Sequence, residues 1–405
     1  MRILGIESSC DDTSVALLDC SPKGCFVIRE VAASQIEIHK KYGGVVPEIA
    51  GRLHAEKIVP LIEEVLQDQP RPDVIAVTAG PGLITGLIVG VEAARALSYI
   101  WKIPLVAVNH IEGHILSCEI SNYKFKILNT NSKLQIENQA DRQTDQSQDS
   151  LTPNTLHLPP KIIYPALALI VSGGHTELIF IKKPGRYKII GRTRDDAAGE
   201  CFDKVAKLLD LPYPGGPQIS RLAQTGRTDA IAFPRPMLKE KNYDFSFSGL
   251  KTSTLYWLQK NPICHPFDRL RAGSERNEGS FPKIQQNKDS SAPLRSAQND
   301  ICIPDFCASF EQAIVDVLVA KTMSAASELK PKSIILAGGV SANKKLRATL
   351  ADQITRSLPN TFYLTPNTSY SMDNAAMIAV AGYYHALKKD FTPWKKIQAD
   401  PNLEL

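Results

Sequence analysis

His110 and His114, in His-Ile-Glu-Gly-His, have the spacing most suggestive of chemistry in the chain. On a helix, residues four apart share a face, so both imidazoles could reach one metal ion. The pattern is not that of a zinc peptidase, which places Glu directly after the first His as a base beside the metal. Here Glu112 comes two positions after His110 and points to another face. A pair of surface or capping histidines is the competing reading, and spacing alone leaves the two even. Asp373, in Ser-Met-Asp-Asn-Ala-Ala-Met, stands just before an apolar helical run. A helix N-cap is the commoner use of such an Asp, and a third metal ligand the rarer one. Asp203 lies in Gly199-Glu-Cys-Phe-Asp-Lys-Val-Ala-Lys, where a solvated helical carboxylate is the default.

Glycines supply a second kind of chemistry. Gly-Gly pairs occur at 43–44, 173–174, 215–216 and 338–339. A glycine backbone can approach a ligand closely. The pair at 338–339 follows the strand-like Ile334-Ile-Leu-Ala and precedes Val340-Ser-Ala-Asn-Lys-Lys, the start of a helical pattern. Phosphates and nucleotides bind to free N–H groups in that geometry. Any single pair is more often a plain tight turn, but their placement in both halves of the chain favours a nucleotide cleft. Phe245-Ser-Phe-Ser-Gly-Leu-Lys-Thr reads as a strand end and turn, or as a surface for RNA or a partner. Cys10 and Cys201 read as small buried side chains.

These groups need a scaffold. Arg2–Glu7, a polar turn, and a returning Thr13–Asp19 read as a strand–turn–strand unit. The plan recurs at Ala166–Val171, Ser-Gly-Gly-His and Thr176–Ile181. Helical spacing appears at Ala55–Leu66, Gly90–Trp101, Gly199–Leu209 and Phe306–Glu328, and buried-strand runs at Val74–Thr78, Leu105–Asn109 and Ser333–Ala337. Alternating strands and helices argue an α/β fold. The duplicated hairpin predicts two similar lobes with a ligand cleft between them.

With 43% hydrophobic and 22% charged residues over 405 positions, a disordered or fibrous chain is excluded. No apolar run reaches the ~18–20 residues of a spanning helix, and the acidic Glu7-Ser-Ser-Cys-Asp-Asp start is no signal peptide. Eight cysteines without a Cys-x-x-Cys pair predict reduced thiols in a cytosol. Residues 121–161 and 262–303 are polar and aperiodic, and read as flexible insertions. Without them 322 residues remain, with a net charge of +3 rather than +5. So weak a charge is poor ground for proposing a nucleic-acid partner. Lys239, Lys241, Lys251, Lys344, Lys345 and Arg347 could contact phosphates, although scattered surface cations are equally expected.

Eight motifs occur in order: Gly-Ile-Glu-Ser-Ser-Cys-Asp, Asn-His-Ile-Glu-Gly-His, Val-Ser-Gly-Gly-His-Thr, Gly-Glu-Cys-Phe-Asp-Lys-Val-Ala-Lys, Tyr-Pro-Gly-Gly-Pro, Phe-Ser-Gly-Leu-Lys-Thr, Gly-Gly-Val-Ser-Ala-Asn and Met-Asp-Asn-Ala-Ala-Met. Together they closely resemble the bacterial TsaD-type tRNA threonylcarbamoyladenosine synthase family, a branch of the actin-like, Hsp70-like and sugar-kinase-like ATPase fold. The resemblance spans essentially the whole core and skips the two insertions. It implies a two-lobed fold with an N-terminal lobe over 1–108, a C-terminal lobe over 109–389 and a tail over 390–405. The implied activity is transfer of threonylcarbamoyl from threonylcarbamoyl-AMP to N6 of the adenosine beside the anticodon, in tRNAs reading codons that begin with A. It implies a cytoplasmic enzyme that works with a related ATPase-fold protein and a small ATPase, and with no membrane. By position, His110, His114 and Asp373 match the family's ligands for a divalent metal, usually described as iron, with zinc as the alternative. Val171, Ser172, Gly173, Gly174, His175, Asp203, Gly216 and Asn343 match its substrate-binding positions. Asp11 is the candidate to orient or accept a proton. Asp12 departs from the family pattern, where Glu is common. A metallopeptidase, and an ATP-binding module or sugar-type kinase, are the competing functions.

Overall fold

The computed structural model describes residues 1–121, 161–261 and 301–405. The two expected insertions lie outside the described residues except at their edges. At one edge the expectation is corrected: Ile303 is the buried first residue of a long helix.

The strands are β1 (Arg2–Glu7), β2 (Asp12–Ser21), β3 (Gly24–Ser34), β4 (Val74–Gly80), β5 (Leu105–Asn109), β6 (Ile120–Ser121), β7 (Ala166–Val171), β8 (Thr176–Lys183), β9 (Arg186–Arg192), β10 (Ser333–Ala337) and β11 (Phe362–Leu364). The helices are α1 (Ile36–His39), α2 (Pro47–Leu66), α3 (Ile84–Trp101), α4 (His110–Leu116), α5 (Ala198–Leu208), α6 (Gly215–Ala223), α7 (Ser248–Lys260), α8 (Ile303–Leu329), α9 (Lys344–Ser357) and α10 (Ala375–Leu387). The fold is α/β, built on two mixed sheets. The first runs β5-β4-β1-β2-β3-β6 and the second β11-β10-β7-β8-β9. Each is led by an antiparallel hairpin, β1–β2 or β7–β8, extended on the other side by parallel strands.

Both sheets are covered on both faces, as the near-continuous burial of β1, β4, β7 and β10 requires. On one face of the first sheet, Leu4, Ile6, Val15 and Leu17 pack against Ile58 and Leu61 of α2 and Val91 of α3. On the outer face of the second, Leu167, Leu169 and Leu178 meet Phe306, Phe310 and Ile314 of α8. The remaining faces share one cluster. Ile3, Ala16 and Ala76 of the first sheet and Ala166, Ala168 and Ile179 of the second enclose Ile111 and Ile115 of α4 and Ala375–Ala381 of α10. Thus α4 and α10 form a layer between the sheets.

β1, β4 and β5 are mutually parallel, so Glu7, Gly80 and Asn109 end at the same edge of the first sheet. β7 and β10 likewise end together at Val171 and Ala337. Crevices outside the carboxyl ends of parallel strands are the usual ligand sites of such sheets.

Residues 390–405 lie along the edge strand β5 as a strap. Thr392 N–H donates to Leu105 O at 2.8 Å and Asp400 N–H to Ala79 O at 2.8 Å. Ile397 is buried among α2, α3 and β5, and Glu404 reaches Arg192 of β9 at 3.6 Å. Two expectations from sequence need correcting here. α3, at 18 residues and mean hydropathy 1.2, is long and apolar enough to cross a membrane by length and composition. In this fold it packs through Leu87, Val91 and Ala94 and carries a Glu92–Arg95 pair at 2.8 Å. And Cys20 and Cys25, facing each other across the β2–β3 hairpin, are joined as a disulfide rather than left as thiols.

Candidate functional site

α4 begins where β5 ends. Asn109 is its N-cap, with Oδ1 accepting from the N–H groups of Ile111 (2.9 Å) and Glu112 (3.3 Å). This sets the first turn so that His110 and His114 lie on one side, with ring centroids 4.5 Å apart. The N-cap of α10 is Asn374, whose side chain accepts from Met377 N–H at 2.8 Å. The commoner reading of Asp373 as a cap is therefore corrected. Asp373 is free to turn inward, with Oδ1 3.4 Å from His110 Nε2 and 3.2 Å from His114 Nε2. The three ligand atoms lie within 4.8 Å of one another.

Glu7 completes this centre and was missed by the sequence reading. It is fully buried at the end of β1, where a carboxylate interrupts an apolar run. Its Oε1 accepts from Ser9 N–H (2.6 Å) and its Oε2 from the Thr78 hydroxyl (2.7 Å). Oε2 also faces His110 Nδ1 at 3.0 Å, which directs His110 Nε2 toward Asp373. A carboxylate behind a metal-ligating histidine is the usual way its ring is oriented. Burial opposes a charge on His110, but Glu7 and Asp373 outweigh it and raise its pKa to about 10. Burial opposes the charge of Asp373 too, yet His110 holds its carboxyl well below the usual range. Burial and then His110 lower His114.

The residues fit a divalent cation. His114 is wholly buried, and neither of its ring nitrogens has a hydrogen-bond partner among the described residues. Its closeness to Asp373 without an aligned hydrogen bond is what two ligands of one ion would show. A buried carboxylate and a half-buried one beside two imidazoles also favour a cation between them.

The turn after β7 lies beside this cluster. Ser172 N–H donates to His175 O at 2.8 Å, and His175 N–H to the Ser172 hydroxyl at 3.1 Å. A Cβ added at Gly173 or Gly174 would meet nothing within 4 Å among the described residues, so this backbone faces open space. Burial lowers His175 to about 4, helped by His110 and His114, so it is neutral at neutral pH. α5 abuts the turn through Gly199, whose N–H donates to Ser172 O at 3.2 Å and whose missing Cβ leaves room for that carbonyl. Val171 is fully buried in β7.

Asp203 is not the solvated carboxylate expected by default. Its Oδ1 accepts from Gly215 N–H (2.7 Å) and Gly216 N–H (3.4 Å), opening α6. Burial raises its pKa, the two amides lower it, and the charge of Asp11 raises it again. Asp11 is near enough for its charge to act on Asp203 of α5 and on Tyr213 before α6. A cavity of about 40 Å³ beside Asp203 is lined by Gly43, Asp203, Lys207, Tyr213 and Gly215. A larger one of about 250 Å³ lies against Cys25, Glu119 and Tyr384, away from this chemistry. Asn343 lies beside α6 and α8. It caps α9 and donates to Ser220 (2.9 Å) and Glu311 (2.7 Å).

Other expectations fare differently. Phe245 and Phe247 are fully buried, so that segment is core and offers no aromatic surface. Cys201 is buried, but Cys10 is partly exposed. Lys251 pairs with Asp196 at 2.9 Å, and Arg347 donates to Pro366 O and the Ser371 hydroxyl, so neither is a free cation.

Comparison with known proteins agrees with this architecture. Residues 26–127 and 151–380 match the family model described as TsaD: tRNA N6-adenosine threonylcarbamoyltransferase. A protein of that description from Geobacillus kaustophilus is 41% identical over 410 residues, covering 100% of this chain and 96% of its own length. Those from Bacillus subtilis (40% over 409 residues) and Desulfitobacterium hafniense (39% over 409) cover 100% of this chain and 96% and 98% of their own lengths.

Proposed function

The chain belongs to the tRNA N6-adenosine threonylcarbamoyltransferase family, and from that premise we propose that it transfers threonylcarbamoyl from threonylcarbamoyl-AMP to N6 of an adenosine in tRNA, releasing AMP. The acceptor is the adenosine next to the anticodon in tRNAs that read codons beginning with A. The observation that carries the site assignment is the convergence of His110, His114 and Asp373, brought from the end of β5 and the start of α10 to within 4.8 Å.

The chemistry accounts for the residues. Threonylcarbamoyl-AMP is a mixed anhydride with AMP as its leaving group, and the adenine N6 lone pair is delocalised, so the amine is a poor nucleophile. The reaction needs both reactants held in place and negative charge stabilised as AMP departs. His110, His114 and Asp373 would hold a divalent ion, with Glu7 orienting His110. When bound, the ion supplies a Lewis acid beside the phosphate or carbonyl. The open Ser172–His175 turn presents backbone to the adenylate, with His175 neutral at working pH. Asp203, drawing in the Gly215 and Gly216 amides, shapes the opposite wall. Asp11, in the loop after β1, orients the amine or takes its proton. Asn343 acts by fixing the start of α9.

Glu112 argues against a peptidase, because its carboxylate is committed to Tyr187 and His385 and is turned away from the ligands. Exposed apolar side chains on α2 and α3, among them Val59, Ile88, Tyr99 and Ile100, support the expectation of protein partners. The related ATPase-fold protein and the small ATPase are the partners proposed, and the cytoplasm, where tRNA is modified, the location. Iron is the proposed ion, with zinc second.

The test supplies threonylcarbamoyl-AMP and unmodified tRNA, with and without the partner proteins, then digests the RNA and identifies nucleosides by mass spectrometry. Modified adenosine dependent on this chain is expected. Its absence even with partners present would refute the reading.

A further inference from the structure

Glu112 lies between the two histidines in sequence but on another side of their helix. α4 has seven residues, about two turns, too few to hold an orientation by backbone hydrogen bonds alone. Its start is fixed by Asn109. Its packing on α10 is close, because a Cβ added at Gly113 would lie 2.8 Å from Ile378 Cδ1. Apolar packing of Ile111 and Ile115 and the contact of Glu7 with His110 also hold the helix, but none of these ties down the side that carries Glu112.

The Glu112 carboxylate does. It is 7% exposed. One oxygen accepts from the Tyr187 hydroxyl of β9 at 2.7 Å. The other pairs with His385 Nε2, near the last turn of α10, at 2.8 Å, and His385 Nδ1 pairs with Asp390 at 2.8 Å. Asp373 precedes α10 and His385 lies near its end, so α4 meets α10 at both ends: through its ligands at one and through Glu112 at the other.

We propose that Glu112 is a positioning residue for the metal centre, bracing α4 through Tyr187, His385 and Asp390 at the rotation that aims His110 and His114 at Asp373. The inference rests on the metal reading given above. At a side-chain radius of ~5–6 Å, a 10° turn of a helix moves an imidazole nitrogen by about 1 Å. Metal–ligand distances tolerate only about 0.2 Å. A carboxylate held from two directions away from the ligand face limits that turn.

The test uses the full chain, stripped of metal and titrated with Co²⁺ against a competing chelator, with the visible Co²⁺ spectrum and the melting temperature recorded. Glu112→Ala is expected to weaken Co²⁺ binding by about 10- to 100-fold and to change the spectrum. Glu112→Gln, which keeps an acceptor for Tyr187 and a polar atom for His385, should restore part of the affinity. Leu250→Ala, a core truncation remote from α4, should lower the melting temperature and leave Co²⁺ affinity unchanged. If Glu112→Ala does not fold, Tyr187→Phe and His385→Gln each remove one contact and should each weaken binding several-fold. Parental affinity and spectrum in these variants, with only the melting temperature lowered, would overturn the positioning role and leave the metal site standing. A parent protein that takes up no Co²⁺ would overturn the metal reading, and this inference with it.

Discussion

Asp12 opens β2 opposite Ser34 of β3, and its Oδ1 is buried without a hydrogen-bond partner among the described residues. Burial raises its pKa from 3.8 to about 6. The Ser34 hydroxyl and Gln35 N–H work against that rise, while the charges of Asp11 and Asp373 add to it. The folded chain therefore holds this proton more tightly than the unfolded chain does. Between pH 3.8 and about 6, stability contributed by Asp12 falls as pH rises; above that window the full penalty is present, and below it none. A gap of two units corresponds to about 3 kcal/mol, and solvent screening at a partly exposed side chain reduces this to about 1–2 kcal/mol. Asp12→Asn removes the ionisable group while keeping its shape. Urea unfolding at pH 7.5 should show the variant more stable than the parent by about that amount, and the difference should shrink toward zero by pH 4. A difference that does not vary with pH, or a variant less stable at pH 7.5, would refute the reasoning. If Asp12→Asn is more stable but slower in transfer, the cost of the buried charge is retained for chemistry.

Glu7→Gln removes the charge behind His110 and should weaken metal binding by about 10- to 100-fold in chelator competition. Unchanged affinity would mean that Glu7 does not orient the ring. Asp203→Ala leaves the Gly215 and Gly216 amides without their acceptor, and should raise KM for threonylcarbamoyl-AMP while costing about 1–2 kcal/mol in urea unfolding. Loss of stability with KM unchanged would confine Asp203 to the fold. Truncation after Ala399 removes the Leu403 carbonyl that accepts from Asn109 Nδ2 at 3.1 Å. Hydrogen exchange at the Ile111 and Glu112 amides should speed up at least several-fold, and exchange at the parental rate would show that the strap does not steady the cap.

The parts of the fold legible in sequence were local. β1–β2 and β7–β8 pair neighbours in the chain, and their apolar runs are bounded by polar turns, so the duplicated plan could be read directly. β9 was not read because it is a half-exposed edge strand whose arginines and lysine obscure the alternation. α6 opens on Gly-Gly-Pro, a sequence that reads as a turn until Asp203 is seen supplying an acceptor to its first amides. In the site, spacing put His110 and His114 on one face but could not choose a ligand pair over surface residues. That choice depends on Asp373, distant in sequence, and on Asn374 taking the cap. Glu7 did leave a signal, an acid in an otherwise apolar strand. Tyr187 and His385 left none, because only the layering of α4 between the sheets brings them to Glu112. Cys20 and Cys25 flank a tight turn, which allows a bridge, but compartment reasoning pointed to free thiols.

The helix that fills the space between the sheets comes far later in chain order than the strands it covers. β1 and β2 are therefore made well before it, with Ile3, Ala16 and Leu18 on a face whose cover includes Ala375–Ala381. Until α10 arrives, that face lacks part of its cover, and His110 and His114 lack Asp373. Apolar surface exposed in this transient way is what chaperones bind. The three-residue cluster is complete only once α10 has docked, so any ion it holds is taken up after that step.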